Sequence, residues 1–134
     1  MTPEELARSF DEFRRTRGNP DPQRELFLWL AKIVAEEYHI RLPDLLSRSR
    51  EAVFVRPRHL LAALWSDVNS QADAARQLDR NNAAVIHSVR KARELIQTSP
   101  NYLYAARRVV ERMTENPYLI PSGVMSWGLE NVKK

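Results

Sequence analysis

Arginine and asparagine side chains gather in two short stretches of this chain, and their types suit contact with a polyanion. The first is a basic run, RSREAVFVRPR, which carries Arg48, Arg50, Arg56 and Arg58. The second opens with Arg80-Asn81-Asn82-Ala83-Ala84 and bears Arg90 and Lys91 farther on. A guanidinium is a planar fork of N–H donors that matches phosphate oxygens or the O6/N7 edge of guanine. An asparagine amide offers a donor beside an acceptor, the pattern that adenine complements. Loop cations on phosphates, with polar side chains at a helix start on base edges, are what a reader of duplex DNA requires. The same residues fit a plainer reading, in which Asp79–Asn82 is a polar turn capping a core helix.

Charge is unevenly distributed. The net charge is +4 over 134 residues. Residues 1–51 hold nine Lys/Arg against ten Asp/Glu, and residues 52–134 hold twelve against seven. The excess of +5 in the second part points to an anionic partner, or to a solvated surface somewhat rich in arginine.

Other chemistries lack their residues. The three glycines, Gly18, Gly123 and Gly128, do not cluster as a phosphate-cradling loop must. Without cysteine there is no disulfide and no thiolate zinc site. His39, His59 and His87 show no metal-ligand spacing, so no metal or other cofactor is expected. Glu36, Glu37 and His39 read as surface charges, and no nucleophile–base pairing is evident, so no catalysis is expected. No apolar run approaches membrane-spanning length, and the acidic N-terminus lacks an apolar signal core. No membrane contact and a cytoplasmic location are expected.

The elements that must hold these groups all read as helices. Thr2-Pro3-Glu4-Glu5 is a capping box, followed by Leu6, Phe10 and Phe13 on one face of a helix ending near Gly18. Asp21 caps a helix over Pro22–Tyr38, with Leu26, Leu30, Ile33 and Val34 as its stripe, widened by Phe27. Residues 42–46 make a short turn, the basic loop follows, and Pro57 starts a helix carrying Leu60, Leu61, Leu64 and Val68. Ser70 caps Gln71–Leu78. After a break at Asp79–Asn82, a helix over Ala83–Thr98 buries Val85, Val89, Ala92 and Ile96. Ser99-Pro100 starts the last helix, with Leu103, Val109, Val110 and Met113 inward and Asn116-Pro117 as its end. The short helix, tight turn and longer helix of residues 71–98 fit a helix-turn-helix. The spacing divides the chain into an N-terminal amphipathic helix (1–18), a helix-turn-helix domain (21–115) and an irregular tail (116–134). Tyr118, Leu119, Ile120, Met125 and Trp127 make that tail apolar enough to dock back onto the domain.

Three separated motifs then carry a resemblance. Pro43-Asp44-Leu45-Leu46-Ser47 follows an aromatic-ended helix, Arg56-Pro57-Arg58 closes the basic loop, and Val85-Ile86-His87-Ser88-Val89-Arg90-Lys91 lies in the second helix. In this order they resemble the C-terminal DNA-binding domain of the bacterial chromosomal replication initiator, DnaA, over roughly residues 25–113. The resemblance implies an all-α domain of the initiator C-terminal, Trp-repressor-like type, here with an extra N-terminal helix. It also implies double-stranded DNA as partner. A basic-loop arginine would enter the minor groove, and the second helix of the motif would read the major groove. Carried over, Arg48 and Arg50 fall in that loop, Arg56 and Arg58 at its end, and Arg80, Asn81, Asn82, Ala83 and Ala84 at the reading helix start. Arg90 and Lys91 would meet the backbone, and His87 reads as a packing or helix-surface residue.

The departures are as informative. Where the family has Gly-Gly-Arg-Asp-His-Thr-Thr, this chain keeps Arg80 but has Asn81-Asn82-Ala83-Ala84 in the reading positions. Each good base contact is worth ~1–3 kcal/mol of discrimination, so the target sequence should differ from the family's. The stretch from Arg56 to Arg80 is a few residues shorter, and the chain shows no ATPase motif. A regulator or accessory factor of replication or transcription follows, such as a phage or other mobile element could carry. The alternative is a module that keeps the fold but binds a replication or transcription protein, as inhibitor or adaptor. Ala83-Ala84, Phe10, Phe13 and Trp127 would suit such a partner or a second copy of the chain.

Overall fold

The computed structural model describes residues 2–8 and 21–119, and every regular element among them is helical. Residues 3–8 are helical and are labelled α1. Its cap is the expected box: the Glu5 N–H donates to Thr2 Oγ1 at 3.1 Å, and that hydroxyl donates to the Glu5 carboxylate. Phe10 and Phe13, and Ile120, Met125 and Trp127 of the tail, lie outside the described residues. The other helices are α2 (Pro22–Glu37), α3 (Leu42–Leu45), α4 (Ala52–Val68), α5 (Gln71–Leu78), α6 (Asn82–Thr98) and α7 (Pro100–Met113).

Most starts follow from side-chain capping. Asp21, Ser70, Asn81 and Ser99 each accept a backbone N–H from the first turn of the helix they precede. Two non-glycine residues adopt left-handed backbone, His39 at φ 56° and Asp79 at φ 55°. Asp79 ends α5, and the Arg80 N–H returns to the Ala75 carbonyl at 2.9 Å. Aspartate tolerates this region better than most side chains, so the chain reverses there without glycine.

One boundary departs from expectation. The basic loop does not run to Arg58, and Pro57 does not start the helix. Helix α4 starts at Ala52, leaving only residues 48–51 as loop and placing Pro57 inside it. Proline withholds one N–H from the carbonyl four residues back. That residue, Val53, is 54% exposed, so water can serve the orphaned acceptor. The proline expected at a helix start is therefore a tolerated second-turn proline.

Helix α4 is the axis of the molecule. Leu60 to Trp65 are consecutively buried, and α2, α3, α5 and α6 all pack against it. Trp65 sets its ring edge against Phe27 at 5.6 Å, and its indole N–H donates to the Asp73 carboxylate at 2.8 Å. Phe27 is wholly buried while Leu26 is half-buried, so the stripe of α2 is rotated toward Phe27, Leu30, Ala31 and Val34. On α6 the four expected residues, Val85, Val89, Ala92 and Ile96, are buried. On α7 the core is Tyr102, Ala105, Ala106, Val109 and Met113, with Leu103 and Val110 at its edge. Asn116 and Leu119 are buried too, so packing continues past residue 115.

Candidate nucleic-acid interface

The turn between α5 and α6 and the loop between α3 and α4 meet in space. Arg48, in the loop, donates to the Asp79 carboxylate at 2.8 Å and to the Asp79 carbonyl at 3.3 Å. Arg80, in the turn, donates to the Ser47 carbonyl at 3.0 Å, as well as to the carbonyls of Leu78 and Asp79. Two reciprocal contacts thus fasten the loop beside the start of α6, although more than thirty residues separate them in sequence.

The arginines divide by what their guanidiniums face. Arg58 is turned inward, donating to the carbonyls of Leu45 at 2.7 Å, Ser49 at 2.9 Å and Asp44 at 3.4 Å. Burial, and then the nearby Arg80 charge, hold its pKa below the ordinary arginine value. Arg80 is lowered likewise, by burial first and then by Arg48, with Asp79 opposing. Arg58 and Arg80 therefore brace the loop and the turn with backbone carbonyls. Arg48 is exposed even while paired. An ion pair so open to water is worth ~0–1 kcal/mol, and a phosphate can displace it. Arg50 and Arg90 are exposed and make no hydrogen bond or ion pair among the described residues. Arg56 is exposed but lies toward α7, where its carbonyl accepts from Tyr102 Oη at 2.9 Å. Lys91 is half-buried and pairs with Glu94 at 3.5 Å.

The start of α6 is open. Asn81, Asn82 and Ala83 are exposed, whereas Ala84 is half-buried. Asn81 Oδ1 accepts the Ala84 N–H at 2.7 Å, so the acceptor half of that amide is committed to capping. Asn82, at the first helical position, keeps both halves of its amide for another partner. Farther along, Gln71 of α5 and Ile86, Val89, Arg90 and Arg93 of α6 line a shallow concavity of about 240 Å³. The sequence reading did not single out Gln71 or Ile86. Ile86 sits one position from Val85 in a helix whose buried residues recur every three or four positions, and that offset was the available signal.

A histidine contact was also beyond sequence reasoning. His59 and His87, 28 positions apart, meet edge to face at 5.8 Å, and His59 Nδ1 lies 3.0 Å from Ser88 Oγ. Burial, then the charges of His87, Arg58 and Lys91, push the His59 pKa down to about 4. A depressed histidine pKa favours the neutral ring in the folded state. Its stabilisation is complete above the unfolded value near 6.5 and is lost as pH falls from there to about 4. After discounting for solvent screening, this is on the order of 1–3 kcal/mol. The urea midpoint of the wild type should thus fall more between pH 7 and pH 4.5 than that of His59→Gln. Parallel curves would refute this assignment. No group of three or more potential metal ligands occurs among the described residues. No helix among them is long and apolar enough to cross a membrane.

With the fold and this surface in view, the family comparison is direct. Residues 30–92 match the family model described as the bacterial DnaA protein helix-turn-helix. The match runs from the second half of α2 to the middle of α6 and includes the loop, the turn and the start of α6. Helix α7 lies beyond it.

Proposed function

We propose, from the match of residues 30–92 to the bacterial DnaA helix-turn-helix model and the DNA binding it implies, a duplex-binding regulator or accessory factor of replication or transcription. Its target differs from that of the family's own reading motif. Arg48 and Arg50 lie against phosphates or in the minor groove. Asn82 and the free amide N–H of Asn81 read base edges in the major groove from the start of α6. Arg90 meets the backbone. Arg58 and Arg80, named with these from sequence, serve by bracing the loop and the turn.

The observation that carries this reading is the Arg48–Asp79 pair at 2.8 Å. It keeps a cationic loop and an exposed polar helix start on one side of the molecule. A groove and its flanking backbone are about one helix diameter wide, so both elements can engage one duplex together. Bound DNA would exchange a weak surface pair for charge-assisted contacts.

Selection of random duplexes on the pure protein tests this. The wild type should enrich a motif, and Asn82→Ala should enrich a different or degenerate one with little change in melting temperature. Asn81→Ala should in addition lose about 1 kcal/mol of stability, because it removes the cap. Flat recovery by the wild type would overturn the DNA reading and leave a protein partner as the occupant of this surface.

A further inference from the structure

Resting on the duplex-binding reading above, we propose that Ile86, with Ala83, recognises the 5-methyl groups of thymines, so that the target contains thymine beneath the first two turns of α6. Ile86 is 42% exposed, the one exposed large hydrophobic of α6. It lies outside the buried stripe of α6 formed by Val85, Val89, Ala92 and Ile96. Ala83 is three residues before it and also exposed, so the two share one helix face. Asn82 and Arg90 stand four residues to either side of Ile86, on the same row.

The setting argues for a groove over an apolar protein partner. One isoleucine and one alanine offer far less than the surface a stable protein interface buries. They do match the size of a methyl group. Exposed Arg90 and the Asn82 amide flank Ile86 on its row, and the nearest carboxylates in sequence, Asp79 and Glu94, are engaged by Arg48 and Lys91. An apolar spot flanked by an arginine and an amide complements the major-groove edge of an A·T pair, where thymine presents the only apolar group of that groove. Where a hydroxyl would hydrogen-bond to a base edge, Ala83 can only pack, which shifts discrimination from polar contacts to shape.

The test uses the duplexes best retained by the wild-type protein from a random pool, resynthesised with uracil at every thymine. Uracil pairs with adenine as thymine does and lacks only the methyl. The wild type should bind the thymine form about fourfold more tightly for each methyl covered. Ile86→Ala should bring that ratio toward one, whatever its affinity for the uracil form. Ile86→Gln, which keeps the length and loses the apolar character, should do the same and serves if the alanine variant melts early. Equal affinity of the wild type for both forms overturns the proposal, and so does a ratio that neither variant changes. Failure to bind either form at any salt concentration would instead remove the duplex reading itself.

Discussion

Trp65→Ala should cost about 3–5 kcal/mol, the range for emptying a large buried aromatic site. Domains of this size have ~5–15 kcal/mol in total, so the variant should be partly unfolded near physiological temperature. Two losses combine. Trp65 is fully buried and edges onto Phe27, so the gap opens where α2 and α4 meet. Its indole N–H is also a partner of the Asp73 carboxylate at 2.8 Å. Asp73 in turn accepts from Arg76 and from the Gln77 amide, and Arg76 reaches Asp21 at the cap of α2. The support helix of the helix-turn-helix is thereby tied to both neighbours through one side chain. Trp65→Phe separates the two terms: most of the volume stays and only the N–H is lost. It should cost about 1–2 kcal/mol, since Asp73 keeps Arg76 and stays partly solvated. Urea unfolding of both variants decides the matter. Equal losses would mean that the hydrogen bond, and not the packing, dominates.

What sequence could reveal about this molecule depended on how local the determining physics was. Helix starts were legible because a cap acts within three residues: Asp21, Ser70 and Ser99 accept the N–H groups their positions imply, whereas Asn81, expected as a base reader, proves to cap α6 one residue earlier than expected. The buried face of α6 was legible because it packs on one side only, so its period is clean. The stripe on α7 was blurred by Ala105 and Ala106, whose small side chains mark a close helix approach and give little hydrophobic signal. Pro57 misled because proline is favoured at a helix start, and nothing nearby in sequence says that the second turn will tolerate it here. The binding surface was half legible. The residue types and their order pointed to the loop and the front of α6. Sequence could not tell which arginines face outward, because the carbonyls that hold Arg58 lie 9 to 14 positions away and the Ser47 carbonyl that ties Arg80 to the loop lies 33 away. The edge contact of His59 with His87 is of the same kind.

That division of the arginines yields a sharp contrast between two substitutions of identical chemistry. Arg50→Ala removes an exposed cation that makes no ion pair among the described residues, so the melting temperature should stay unchanged. If Arg50 meets a phosphate, affinity for every duplex should fall roughly tenfold near 0.1 M salt, and the log–log salt slope should shrink by about one. Arg58→Ala removes a guanidinium whose donors hold three carbonyls of α3 and the loop. Hydrogen bonds from a charged donor contribute about 1.5–3 kcal/mol each, and water can reclaim part of this at a half-buried site. A net loss of about 2–4 kcal/mol follows. Its effect on DNA binding should come through a loosened loop, so the salt slope should change little when affinity is measured at a temperature where the variant is folded. Arg58→Lys should not restore stability, because a single ammonium cannot span acceptors that a planar fork reaches together. Thermal melting and salt titration of the three variants separate bracing from binding. If Arg58→Ala melts like the wild type, or Arg50→Ala leaves the salt slope intact, the inward and outward roles assigned to these side chains are wrong.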